Sequence, residues 1–128
     1  MYESLAKIKL LYVEDDEDIS YVLADIFGDE CKELYVAKNG QEGLSMYKEH
    51  SPDIVLTDIS MPIMNGIEMS KLIREENSTI PIIISSAFSD DEYIQAAKEL
   101  GINHYILKPI NLEKVLDILE NLAKELKC

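Results

Sequence analysis

Short apolar runs alternate along the chain with longer stretches in which apolar residues recur at every third or fourth position. Five runs are continuous enough to predict strands buried on both faces, as the strands of a parallel sheet are. These strands are predicted at 8–13, 33–37, 53–57, 80–86 and 103–107. The third run stops at an acid, Asp58.

The stretches between these runs have helical spacing. The apolar face of the first helix consists of Ile19, Val22, Leu23, Ile26 and Phe27. We expect Gly28 to end this helix, because glycine often follows the last helical turn. Four more helices are predicted at 41–50, after Gly66, from an N-cap at Ser89 to Leu100, and at 111–126.

Five strands that alternate with five helices over short connections predict an α/β fold with helices on both faces of a parallel sheet. We expect a (βα)5 doubly wound, flavodoxin-like sheet with the strand order 2-1-3-4-5. The chain has 128 residues, no internal repeat and no linker, so residues 1–128 are predicted to form a single domain. In this order the first and third strands are neighbours.

The charge balance narrows the classes of partner. Lys and Arg total 12 against 25 Asp and Glu, which gives a formal net charge of -13. Such a surface repels nucleic-acid phosphates and anionic lipids, so we expect no direct nucleic-acid binding and no membrane binding. A cationic partner, or a metal ion held by clustered carboxylates, suits this charge better.

The sequence is also typical of a cytoplasmic domain. No apolar run approaches the ~20 residues that cross a bilayer, and the first residues lack a signal-peptide pattern. The two cysteines, Cys31 and Cys128, have no metal-ligand spacing. We expect a core thiol at Cys31 and an exposed terminal thiol at Cys128, as in a reducing compartment.

Polar side chains stand at or just after the carboxyl ends of four of the five predicted strands. In chain order they are Glu14 and Asp15, then Asp58, then Ser85 and Ser86, and finally Lys108. Because the carboxyl ends of parallel strands meet at one edge of a sheet, these residues are expected to line one crevice.

Three acids in one crevice require a counter-charge. Two carboxylates ~4 Å apart repel by ~4 kcal/mol at an effective dielectric constant near 20. Mg²⁺, with Mn²⁺ as an alternative ion, is the expected cofactor, because it is held by a few carboxylates together with phosphate oxygens. With Lys108 and Ser86 added, the pocket suits a tetrahedral dianion, which predicts phosphoryl transfer onto Asp58. A capping role for Asp58 is the alternative.

Four motifs resemble the receiver domain of two-component response regulators. They are VEDD at 13–16, TDISMPIMNG at 57–66, ISSA at 84–87 and YILKPI at 105–110. The resemblance implies that Asp58 accepts a phosphoryl group from the phosphohistidine of a histidine kinase or phosphotransfer protein. It also implies that Glu14, Asp15, Asp58 and the backbone carbonyl of Ser60 bind Mg²⁺.

The resemblance further implies a switch. Lys108 would pair with the phosphoryl oxygens, and its bond to Pro109 would be cis. Ser86 would be the switch hydroxyl and Tyr105 its aromatic partner. Together they would reshape the face made by the fourth helix, fifth strand and fifth helix, where an unknown output protein or domain binds. Such a domain catalyses only its own phosphorylation and dephosphorylation, and is otherwise not an enzyme.

Other functions remain open on the sequence alone. A pseudo-receiver, which binds proteins without being phosphorylated, is the main alternative. A phosphatase of the haloacid-dehalogenase class needs a second Asp where this chain has Ser60. A flavodoxin-like flavin carrier needs a phosphate-binding loop after the first strand, where this chain has acids that would repel a phosphate.

Overall fold

The computed structural model describes residues 2–87 and 91–127, with only the backbone of Lys127. After a 3-10 helix at Leu5–Lys7, strands and α-helices alternate along the described chain. They are β1 (Lys9–Val13), α1 (Glu17–Glu30), β2 (Glu33–Ala37), α2 (Gly40–His50), β3 (Ile54–Asp58), α3 (Gly66–Glu76), β4 (Ile82–Ser86), α4 (Asp91–Glu99), β5 (His104–Leu107) and α5 (Leu112–Lys127).

The strands form one parallel sheet in the order β2-β1-β3-β4-β5. The predicted doubly wound, flavodoxin-like order is therefore confirmed. Every residue of β3 and β4 is buried, as expected for central strands with helices on both faces. The order places the ends of β1 and β3 side by side, so the acids that follow them share one edge of the sheet.

Alternate residues of the strands supply two separate cores. Tyr12, Leu56 and Ile83 belong to the core that α1 and α5 cover. Val55 and Ile84 belong to the core on the opposite face, which α2, α3 and α4 cover. This alternation also assigns the last residues of each strand to a face, because successive side chains of a strand point in opposite directions.

Helix α1 does not end at Gly28, and the prediction of its end is wrong. The helix continues to Glu30, and the extended backbone of Cys31 stops it with an N–H bond to the Phe27 carbonyl. A Cβ on Gly28 would meet only one atom, Cδ2 of Leu34 at 3.9 Å. The helix therefore continues through Gly28, although glycine inside a helix modestly lowers the free energy of unfolding.

Only part of the apolar face of α1 is buried. Leu23 and Phe27 lie in the core, whereas Ile19 and Val22 are 40% and 57% exposed. The apolar stripe thus extends beyond the region that the sheet covers. It leaves an apolar surface near the ends of β1 and β3.

Other local expectations have mixed outcomes. Cys31 is buried, as predicted, whereas Cys128 and the N-cap at Ser89 lie outside the described residues. In α5 the apolar residues Val115 and Leu119 are fully buried, whereas Leu126 is 44% exposed. In the described ranges no helix combines the length and apolarity that crossing a membrane requires.

A buried carboxylate ties the amino-terminal segment to α5. Glu120 is 7% exposed, and its side chain accepts hydrogen bonds from the backbone N–H groups of Leu5 at 2.9 Å and Ser4 at 3.3 Å. Burial opposes its ionisation, but these hydrogen bonds outweigh burial and lower the pKa of Glu120.

Candidate functional site

Three acids meet where β1 and β3 end. Glu14, Asp15 and Asp58 each offer a carboxylate oxygen, and these oxygens lie within 4.8 Å of one another. Glu14 and Asp58 are only 2% and 5% exposed, while Asp15 faces solvent. The sheet therefore assembles the predicted acid cluster, with two of its members withdrawn from water.

Lys108 supplies the positive charge of this cluster. Its Nζ lies 2.7 Å from Oδ2 of Asp58 and 3.6 Å from Oε1 of Glu14. Burial opposes the charge of Lys108, but the hydrogen bond to Asp58 and the nearby acids outweigh it and raise its pKa. Its backbone N–H bonds to the Ser86 carbonyl at 2.8 Å, and the peptide bond to Pro109 is cis, as predicted.

One ammonium group does not neutralise the cluster. The pKa of Glu14 is raised from its ordinary value of 4.5 to about 7, mainly by burial and next by the charge of Asp58. The hydrogen bond from the Asp16 N–H and the charge of Lys108 lower this pKa, but by less. A carboxyl pKa that burial and a neighbouring carboxylate raise in spite of Lys108 indicates a shortage of positive charge. Three oxygen donors in this setting fit a hard divalent cation such as Mg²⁺.

Asp58 is held firmly by its neighbours in sequence. Its Oδ1 accepts the Ile59 N–H at 2.8 Å, and its carbonyl accepts the Thr57 hydroxyl at 2.8 Å. Gly66 packs against the same carbonyl, because a Cβ at position 66 would lie 2.0 Å from the Asp58 oxygen. Only glycine allows this approach, which fixes the loop between β3 and α3.

That loop contains a strained residue. Ile63 has a φ of 70°, in a region that β-branched residues rarely occupy. The Met64 N–H bonds to the Pro62 carbonyl at 2.7 Å, which closes a γ-turn around Ile63. The Ile63 side chain is 76% exposed, so little burial compensates for the strain.

The predicted switch residues share one face of the sheet. Ile84 pairs with Tyr105 and Ser86 with Leu107 in register, so the side chains of Ser86 and Tyr105 point to the α4 side. Ser86 is buried. Tyr105 is half-buried, and its hydroxyl donates to the Ile102 carbonyl. The aromatic ring is thus bonded within the chain.

Ser60 is the remaining predicted metal ligand. It is exposed, two residues beyond Asp58, in the loop that leads to α3. The role of its backbone carbonyl as a metal ligand stays a prediction.

An apolar cavity opens beside the acids. It has a volume of about 630 Å³ and is lined by Val22, Leu23 and Ile110, with Glu14 and Lys108 at its boundary. The exposed part of the α1 stripe therefore adjoins the charged cluster. A molecule that approaches Asp58 from this side meets an apolar wall.

Some residues near the site were not predicted from the sequence. Thr57 and Gly66 occur in the quoted motif, but nothing in their residue types shows that both contact the Asp58 carbonyl. The hydroxyls of Tyr12 and Ser85 are buried and have no hydrogen-bond partner among the described residues. Ser85 was predicted to line the crevice, and strand alternation could have assigned Tyr12 to the face that carries Asp58.

Comparisons with known proteins agree with this geometry. A profile of the response regulator receiver domain matches residues 10–120. The chemotaxis protein CheY of Halobacterium salinarum is 34% identical over 113 residues, which are 88% of this chain and 94% of that protein. Sporulation initiation phosphotransferase F of Bacillus subtilis is 33% identical over 109 residues, 85% of this chain and 88% of that protein.

The fold is similar to that of solved structures. The N-terminal domain of an uncharacterized protein from Wolinella succinogenes matches with a TM-score of 0.88 and 35% identity, over 94% of this chain and 96% of that one. The chain belongs to the receiver domain family of two-component response regulators. Several other curated relatives are longer, and the chain spans between 23% and 50% of their length.

Proposed function

We propose that residues 1–128 form a single receiver domain that accepts a phosphoryl group on Asp58 in the cytoplasm. The donor is the phosphohistidine of a histidine kinase or of a phosphotransfer protein. The observation that carries the proposal is the Lys108 ammonium, 2.7 Å from a carboxylate that is buried at the end of a central strand. A buried acid that only caps a turn needs neither this cation nor two further acids beside it.

The reaction transfers one phosphoryl group between two nucleophiles. The N–P bond of the phosphohistidine breaks as a bond forms between phosphorus and an oxygen of Asp58, and the imidazole leaves with the electron pair. The Ile59 N–H and Lys108 hold the Asp58 carboxylate in position for this attack. Hydrolysis later transfers the group to water, which releases inorganic phosphate and restores Asp58.

Negative charge accumulates during this transfer. Lys108 stabilises the phosphoryl oxygens, and Ser86 supplies a hydroxyl from β4. Glu14, Asp15, Asp58 and the carbonyl of Ser60 would hold Mg²⁺, which neutralises carboxylate and phosphoryl charge when bound. The raised pKa of Glu14 supports a cation requirement, because the chain's own lysine leaves that carboxylate insufficiently compensated.

Phosphorylation would act on the surface formed by α4, β5 and α5. Ser86 turns to bond the phosphoryl group, and Tyr105 gives up its bond to the Ile102 carbonyl and turns inward. An output protein or domain would recognise the changed surface. The net charge of -13 supports an output through protein contacts, without direct binding to nucleic acid or membrane.

The donor protein would cover the apolar cavity beside α1. Glu14 and Lys108 form part of both the cavity and the acid cluster, so a protein that delivers a phosphoryl group to Asp58 contacts both. In this proposal the chain catalyses only its own phosphorylation and dephosphorylation.

The test uses a small phosphodonor, so that no cognate kinase is needed. The chain is incubated with acetyl phosphate and Mg²⁺, and its intact mass is measured. One phosphoryl adduct is expected for the wild type and none for Asp58→Asn or after chelation of the metal. An adduct that persists in Asp58→Asn contradicts the assignment of Asp58. A wild type that accepts no phosphoryl group favours the pseudo-receiver.

A further inference from the structure

Two hydroxyl groups are buried without a partner in the core beneath the acid cluster. Tyr12 and Ser85 are 1% and 2% exposed, and within residues 2–87 and 91–127 neither hydroxyl has a hydrogen-bond partner. An unpaired buried hydroxyl typically costs ~1–3 kcal/mol, and buried polar groups are otherwise almost always paired. Each of these two groups therefore requires an explanation.

Ser85 is the direct neighbour of the phosphoacceptor. In the register of β3 and β4, Leu56 pairs with Ile83 and Asp58 pairs with Ser85. Leu56 and Ile83 both lie in the core that α1 and α5 cover. Because side chains alternate along a strand, Asp58 and Ser85 point to that same side, two residues further on. Ser86 points to the other side, so the two adjacent serines serve different faces.

Tyr12 occupies a different level of the same face. Its register partner on β3 is Leu56, one level below Asp58, and its ring packs edge-on against Phe27 with the ring centres 5.2 Å apart. Like Ser85, Tyr12 is buried and its hydroxyl has no hydrogen-bond partner among the described residues. Unlike Ser85, Tyr12 is not the register partner of Asp58.

The carboxylate of Asp58 has capacity for another donor. Its Oδ1 accepts the Ile59 N–H and its Oδ2 accepts Lys108 Nζ. In the phosphorylated state one oxygen is bonded to phosphorus, and the other is a carbonyl oxygen with two acceptor positions, of which the Ile59 N–H needs one. If Lys108 turns to the oxygens of an attached phosphoryl group, Asp58 loses one of its two donors. Of the two unpaired hydroxyls on that face, the one on Ser85 belongs to the register partner of Asp58.

We propose that Ser85 is a positioning residue whose hydroxyl replaces Lys108 as the hydrogen-bond donor to Asp58 when the site is phosphorylated. This inference rests on the proposed function. The Ser85 hydroxyl is unpaired before phosphorylation and hydrogen-bonded after it. It therefore stabilises the phosphorylated state by the free-energy difference between an unpaired and a paired hydroxyl. Removing it would leave the unmodified protein no less stable and would shorten the life of the phosphorylated form.

Three variants separate this role from a structural one. Ser85→Ala removes the hydroxyl, Ser85→Thr keeps it, and Tyr12→Phe removes the other unpaired hydroxyl as a matched control. Each protein is phosphorylated with acetyl phosphate and Mg²⁺, the donor is removed, and the decay of the adduct is followed by intact mass. Thermal unfolding of each unmodified, metal-free protein is measured in parallel.

We expect the Ser85→Ala adduct to decay roughly three- to tenfold faster than wild type, with Ser85→Thr close to wild type and Tyr12→Phe unchanged. Neither hydroxyl deletion should lower the unfolding temperature. Equal decay of Ser85→Ala and wild type would overturn the inference, and so would the same acceleration in Tyr12→Phe or destabilised unmodified Ser85→Ala. Failure of the wild type to form any adduct would instead overturn the proposed function, and this inference with it.

Discussion

Gly66 packs so closely against Asp58 that a Cβ at position 66 would lie 2.0 Å from the Asp58 carbonyl oxygen and 3.1 Å from Oγ1 of Thr57. The Thr57 hydroxyl also bonds to that carbonyl. The carbonyl of the phosphoacceptor thus contacts both Gly66 and Thr57. Its position depends on a residue eight places further along the chain.

Gly66→Ala is therefore expected to displace the backbone at Asp58. We expect the free energy of unfolding to fall by more than ~2 kcal/mol, and the rate of phosphorylation by acetyl phosphate to fall at least tenfold. Chemical denaturation and intact mass measure the two effects. Gly28→Ala is the matched control, because a Cβ there meets only Leu34 at 3.9 Å. It should stabilise α1 by ~0.5–1 kcal/mol. Equal effects of the two substitutions would contradict this explanation.

The strained turn at Ile63 gives a prediction of the opposite sign. Glycine adopts positive φ without the steric cost that a β-branched residue meets, and little burial is lost because Ile63 is 76% exposed. Ile63→Gly should therefore raise the free energy of unfolding by ~0.5–1 kcal/mol. Ile19→Gly, on the regular helix α1, serves as the control and should lower it. A destabilised Ile63→Gly would show that the turn is not strained in solution.

The raised pKa of Glu14 predicts a pH-dependent penalty in the metal-free protein. The Glu14 carboxyl group binds its proton more tightly in the folded state than in the unfolded chain. The stability that this protonation contributes is therefore complete below pH 4.5 and is lost as the pH rises through about 7. Glu14→Gln is neutral at every pH, so we expect it to be more stable than wild type at alkaline pH, by up to ~3 kcal/mol.

Denaturation of both metal-free proteins across the pH range measures this difference, which should vanish below the ordinary pKa of glutamate. Addition of Mg²⁺ should stabilise wild type and have a smaller effect on Glu14→Gln. A stability difference that does not change with pH would show that burial and Asp58 do not raise the pKa of Glu14.

Much of the fold follows from the sequence because strands buried on both faces leave a direct pattern of apolar runs. The acid cluster follows too, since Glu14 and Asp58 each stand where such a run ends. The end of α1 could not be predicted from Gly28, because the helix runs through that glycine and ends only before Cys31. Residue types alone gave no sign of the Glu120 contact with Leu5, which joins positions 115 residues apart.

That contact supports a prediction on the acid side of the pH range. The pKa of Glu120 is lowered, so its contribution to stability is present above the ordinary value of 4.5 and is lost as the pH falls below it. Glu120→Ala should lower the free energy of unfolding at neutral pH by ~1–3 kcal/mol, because it leaves buried N–H groups unpaired. The exposed Glu125→Ala is the control, with an expected change within ~0.5 kcal/mol. A loss at Glu120 that persists unchanged in acid would contradict the role of its charge.

Direct identification of the modified side chain tests the central claim most sharply. Borohydride reduces an acyl phosphate of aspartate to homoserine, which marks the phosphorylated position permanently. The chain is phosphorylated with acetyl phosphate and Mg²⁺, reduced, digested and sequenced by mass spectrometry. The proposal predicts homoserine at position 58 and at no other acid. Homoserine at Glu14's neighbour Asp15 or at another aspartate, with Asp58 intact, would contradict it.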